Sequence, residues 1–85
     1  MDYRMAITCY QEKAGDEDAK INIFVNGSQA VTESVVTSTS DSSPSIITWE
    51  STGLPDCKLD GSVTIELKFQ LANNYYVDGD TDRNI

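Results

Sequence analysis

The sequence predicts a small all-β domain, an antiparallel β-sandwich of the jelly-roll kind, on three observations. Alternation of apolar and polar residues with period two dominates, and no helical periodicity competes with it. Turn signals separate the alternating runs at short intervals. The length of 85 residues allows one domain, residues 1–85, with a thin core.

Met5, Ile7 and Cys9 alternate with Ala6, Thr8 and Tyr10, which gives a first strand over residues 3–11. The stretch from Glu12 to Lys20 is charged, contains Gly15 and has no apolar face, so it reads as a solvated loop. Ile21, Ile23 and Val25 share one face of a second strand. Asn26-Gly27 follows, the preferred pair for a tight hairpin because both central residues need positive φ. The same Asn26-Gly27-Ser28 matches a glycosylation acceptor, but the turn explains it better. Val31, Val35 and Val36 mark a returning strand over residues 29–37. The polar run from Ser38 to Pro44 is an exposed connection and not a domain boundary, since neither half could bury a core alone.

Ile46, Ile47 and Trp49 mark a fourth strand, and Gly53, Pro55, Asp60 and Gly61 turn the chain after it. The clearest alternation then runs over residues 63–71. Val63, Ile65, Leu67, Phe69 and Leu71 form an apolar face, while Thr64, Glu66, Lys68 and Gln70 form a polar one. Tyr75-Tyr76-Val77 is a short extended piece. Ile85 resembles the first apolar residue of a further strand, so either the domain is expected to continue past it or that strand is very short.

Six Lys and Arg stand against 14 Asp and Glu, with no His, for a net charge of −8. That balance argues against nucleic acid and against an anionic membrane surface as partners. Without His and with two Cys, Ser-His and Cys-His catalytic pairs and the common zinc sites are excluded. Paired carboxylates of the glycosidase kind would need cleft walls that a chain this short does not supply. A binding module is therefore expected, and not an enzyme. Cys9 and Cys57 fit equally a disulfide between strand and loop or two small buried residues. No apolar run has the length of a membrane span, and the first residues lack the pattern of a signal peptide. An extracellular or virion-associated setting, tethered to a larger protein, is the expectation.

Asp78, Asp80 and Asp82 are spaced by two, with Gly79 between the first pair. Clustered carboxylates repel unless something positive sits among them. Calcium suits that role, since it takes carboxylate, carbonyl and water oxygens. The spacing is not an EF-hand, because Arg83 stands where that loop needs Gly. On spacing alone, a solvated acidic turn partly neutralised by Arg83 is the simpler reading. Glu12, Asp16, Glu17 and Asp18 form a second acidic patch without a ligand pattern.

The stretch from Val63 to Tyr76, followed by Asp82-Arg83-Asn84-Ile85, resembles the calcium-dependent xylan-binding modules of carbohydrate-binding module families 36 and 60. In those families a strand ending in Phe leads into an Asn-Asp-Tyr-Tyr-like segment, a variable acidic loop, then Asp-Arg-Asn and an aliphatic residue. The Phe24-Val25-Asn26-Gly27 hairpin and the Ser51-Thr52-Gly53 turn fit the same layout. The likeness spans about residues 21–85, and its last quarter carries the motif.

The resemblance implies a jelly roll whose terminal loops hold calcium, the ion also coordinating two neighbouring sugar hydroxyls. Asp82 matches the motif Asp and is the leading ligand candidate, with Asp78 and Asp80 in the acidic loop. Asn74 stands where the family has Asp, and an amide oxygen can still coordinate. Arg83 and Asn84 would hold the loop by hydrogen bonds. Tyr75, Tyr76 and Trp49 could stack on sugar faces, although Trp49 beside Ile46 and Ile47 reads more simply as core. Of the two tyrosines, alternation sends one inward and one outward.

The expected function is thus calcium-dependent recognition of a xylan-like polysaccharide. The alternative is a structural or adhesive β-module in which calcium only stiffens a loop.

Overall fold

The protein is described as a computed structural model covering residues 2–56, 59–79 and 81–85. These residues form an all-β domain of antiparallel sheets. Its strands are β1 (Tyr3–Cys9), β2 (Ala19–Val25), β3 (Ser28–Val36), β4 (Ser45–Ser51), β5 (Leu67–Leu71), β6 (Tyr76–Asp78) and β7 (Thr81–Asp82). They pair as β1-β4, as β3-β2-β5 and as β6-β7.

The hairpin at Asn26-Gly27 joins β2 to β3, and both turn residues take positive φ, +49° and +84°. The polar connection after β3 leads to β4, which returns against β1 from Cys9↔Ser45 to Tyr3↔Ser51. That register sets the end of β1: no β4 residue lies beyond Ser45 to pair with Tyr10 and Gln11. The strand expected over residues 3–11 therefore stops at Cys9.

The longest expected strand is also shorter. β5 pairs with β2 from Ile21↔Leu71 to Val25↔Leu67, and there β2 enters its turn. Residues 63–66 run past the end of their only neighbour, so they form no strand. The Asn26 side chain and main chain extend the pairing by one position, with Glu66 N–H to Asn26 Oδ1 and Asn26 N–H to Glu66 O, both 2.9 Å. The apolar face read along this strand is only partly covered, since Leu67 and Phe69 are 40% and 49% exposed.

Ile21, Ile23 and Val25 of β2, Val36 of β3 and Ile47 and Trp49 of β4 make the core, with Met5, Ile7, Cys9, Val31, Leu54 and Ile65 packed around it. The core thus draws on both larger sheets. Apolar burial of this kind stabilises by about 1.5–3 kcal/mol per large side chain. Trp49 is buried, and its indole N–H donates to Ser51 Oγ at 3.0 Å, so it belongs to the interior and not to a stacking surface. Cys9 is half-buried against this core, and burial pushes its thiol pKa up. The proposed Cys9–Cys57 bond lies outside the described residues.

Candidate functional site

The acidic C-terminal segment rests on one buried cation. Arg83 follows β7 and is 3% exposed, deep for a charged side chain. Its Nη2 donates to the Ala14 carbonyl at 2.7 Å and its Nη1 to the Asn73 carbonyl. Its main-chain N–H donates to Tyr75 O at 2.8 Å. The guanidinium lies 3.8 Å from Glu17 and 5.2 Å from the Tyr75 ring centre. Arginine suits this place because its planar fork aims separate N–H donors at separate carbonyls. Sequence spacing suggested that Arg83 neutralises the neighbouring aspartates; instead it turns inward, away from them.

The segment before β2 is held to the same point. Gly15 and Asp16 take positive φ, +70° and +57°, and the tight turn closes an Ala14↔Glu17 bridge. A side chain on Gly15 would begin 3.1 Å from the Tyr75 ring, so a glycine is needed for that approach as well as for its φ. Gln11 is 2% exposed. It accepts from the Ala19 N–H at 2.6 Å and donates to Asp18 at 2.7 Å. That hydrogen bond, opposed by partial desolvation and helped by Lys13 at 3.5 Å, holds the Asp18 carboxyl below the usual aspartate range. The stretch read as a solvated loop is therefore folded and largely charge-compensated, with Lys20 3.4 Å from Glu17.

Asn73, not singled out by the sequence, ties these parts together. Its side chain accepts from Lys20 N–H at 2.8 Å and donates to Asp18 O at 2.9 Å. Only its place beside Asn74 hinted at it. Gln11 and Gly15 gave no more signal than a polar residue at a strand end and a glycine in a loop.

The expected ligands divide. Asp78 and Asp82 lie on the paired strands β6 and β7, where Tyr76 faces Asp82 and Asp78 faces Thr81. Asp78 accepts from Thr81 N–H at 2.9 Å. Asp82 is half-buried, and its carboxylate accepts from the Asn84 amide at 3.1 Å. The same amide nitrogen lies 3.4 Å from Glu12, so one neutral group bridges two carboxylates. Asn74 is exposed at the edge of this region. Asp80 lies outside the described residues. Among those described, no three Asp, Glu or Cys side chains come close enough together to hold a metal ion.

The donors on this segment are all oxygens. That chemistry fits calcium and not zinc or copper. Of the two tyrosines, Tyr75 packs on Gly15 and Arg83, whereas Tyr76 is 64% exposed and turns outward. Tyr76 is the one placed to meet a ligand. Compared with known proteins, the chain matches no family model, no curated protein and no solved structure.

Proposed function

We propose that this domain is a non-catalytic, calcium-dependent carbohydrate-binding module for xylan or a similar β-linked polysaccharide, built as a jelly-roll sandwich. One observation carries the reading. Arg83 is the only cation in residues 73–85, and it spends its donors on the Ala14 and Asn73 carbonyls. The half-buried Asp82 is left with a neutral amide as its partner from Asn84. A protein that buries its own cation nearby keeps the negative potential of this end for something else. The core shared by both larger sheets supports the sandwich.

Asp82, Asp78, Asp80 and Asn74 would hold the ion. Calcium, when bound, supplies a charge-based contact to two vicinal hydroxyls that hydrogen bonds alone, worth about 1 kcal/mol each, do not match. Arg83 and Asn73 fix the backbone that carries these donors. Tyr76 offers its ring to a sugar face.

Affinity electrophoresis and calorimetry against soluble xylan and other β-glycans, with calcium and with chelator, test this. Retention on a glycan that chelator abolishes is expected. No retention, with chelator still lowering the melting temperature, would replace it with the structural module in which calcium only stiffens the loop. A chelator-insensitive protein that binds no glycan would remove both.

A further inference from the structure

Two strand edges and an apolar floor meet on the side of the molecule where β1 faces β5. Among the described residues, β1 pairs only with β4 and β5 only with β2, so each keeps one edge without a strand beside it. Between them lies an open groove of about 480 Å³, lined by Ile7, Cys9, Tyr10, Ile21, Phe69 and Ile85. Ile21 is buried at its floor, while Tyr10, Phe69 and Ile85 are exposed along it.

Main-chain direction decides what the groove can take. Glu12 and Asn84 exchange both of their hydrogen bonds, at 2.9 and 3.2 Å, which makes them an antiparallel pair. Gln11 sends its N–H the opposite way, to Ser38 O at 2.9 Å. Since amides two residues apart in an extended chain face the same edge, Tyr10, Thr8 and Ala6 present theirs on the side that Glu12 uses. The edge and the apolar groove both run on along β1 from the place where the Asn84 pairing stops.

We propose that this groove is a strand-acceptor site, which takes a single extended peptide strand antiparallel to β1 with apolar side chains at alternate positions. The strand continues the lane opened by the Glu12–Asn84 pair, gives the Thr8 and Ala6 main-chain groups partners, and lays its apolar side chains on Ile21 and Phe69. Charge selects against a second folded copy, which would bring another −8 to the same contact, and favours a neutral or basic strand. An unpaired edge beside exposed apolar residues is the situation that strand addition relieves.

The probe is a short synthetic peptide alternating valine with threonine and lysine, titrated into the full chain. Its control is the same peptide N-methylated on alternate amides. Saturable binding is expected, with slowed exchange of the Thr8 and Ala6 amides. N-methylation on the edge-facing amides should weaken it by about tenfold or more, the loss of one or two net hydrogen bonds. Phe69→Ser should weaken it too, with an unchanged circular dichroism spectrum. Equal affinity for the methylated peptide, or no binding at all, overturns the proposal. So does sedimentation showing that the chain closes this face by pairing with itself.

Discussion

The guanidinium of Arg83 lies 5.2 Å from the centre of the Tyr75 ring, and that ring leaves room on Gly15 for nothing larger than hydrogen. Residues from opposite ends of the chain are thereby clasped at one point, with Ala14 O as the acceptor between them. Gly15→Ala should destabilise the domain by about 1–2 kcal/mol, because its φ of +70° penalises any L side chain and the ring must move. Thermal denaturation reads this directly; a melting point equal to the parent's would refute the clasp.

Arg83→Lys keeps the charge and loses the fork. A single ammonium cannot serve both the Ala14 and Asn73 carbonyls in the same geometry. Leaving one of them unpaired in a buried place should cost about 1–3 kcal/mol, measured by urea denaturation. An unchanged midpoint would mean that the two carbonyls find other donors.

The acid limb of the stability curve should carry the mark of Asp18. Its hydrogen bond from Gln11 favours the ionised form in the folded protein, so the folded pKa lies below the unfolded one. The stabilisation is fully present above the ordinary aspartate pKa and disappears as pH falls through the depressed value. Asp60, held down by the Ser62 hydroxyl and N–H, contributes with the same sign. Asp18→Asn still accepts from Gln11 but does not titrate, so its stability should fall less steeply on acidification. Identical slopes for variant and parent would exclude Asp18 as a source.

Of these features the alternating strands and the Asn26-Gly27 turn were open to sequence reading, because both are local. Turn chemistry needs only the φ of two adjacent residues, and a face needs only every second one. The extent of β5 was not local. Residues 63–66 alternate as well as 67–71 do, but whether they form a strand depends on β2, which stops at Val25. The acidic stretch before β2 looked solvated for the same reason: Gln11, Asn73 and Arg83, which fold it, are distant in sequence or carry no pattern of their own. The aspartates of the candidate site were visible by spacing, whereas the inward turn of Arg83 required the fold.

Asp82→Ala should raise the dissociation constant for calcium by about tenfold or more, as expected for loss of one carboxylate ligand. Calorimetric titration with calcium chloride checks it. The melting temperature in chelator should move little, since Asp82 is tied only to the neighbouring Asn84 amide. A calcium titration indistinguishable from the parent's would take Asp82 out of the ligand set.

Tyr76→Ala and Tyr75→Ala should part company. Tyr76 is largely exposed, so its loss should weaken glycan retention by about 2- to 10-fold, the worth of one stacked ring, and leave stability near the parent's. Tyr75 carries the contacts with Gly15 and Arg83, so its loss should lower stability instead. Equal effects of both on retention would mean that the outward ring is not the contact.

The Asn26-Gly27 turn bears on how fast this chain can find its fold. In the two larger sheets it closes the one strand pair, β2 with β3, whose partners are neighbours in sequence. Tyr3↔Ser51 in the β1-β4 pair and Ile21↔Leu71 in the β2-β5 pair bring together positions from distant parts of the chain. Long loops must therefore close before most of the core is rewarded, which places a β-protein of this kind in the millisecond-to-second range. The hairpin, able to form within about 1–10 μs, supplies β2 as the template on which β5 then assembles. Asn26 also accepts from Glu66, so the residue that starts the hairpin marks where the later strand must arrive.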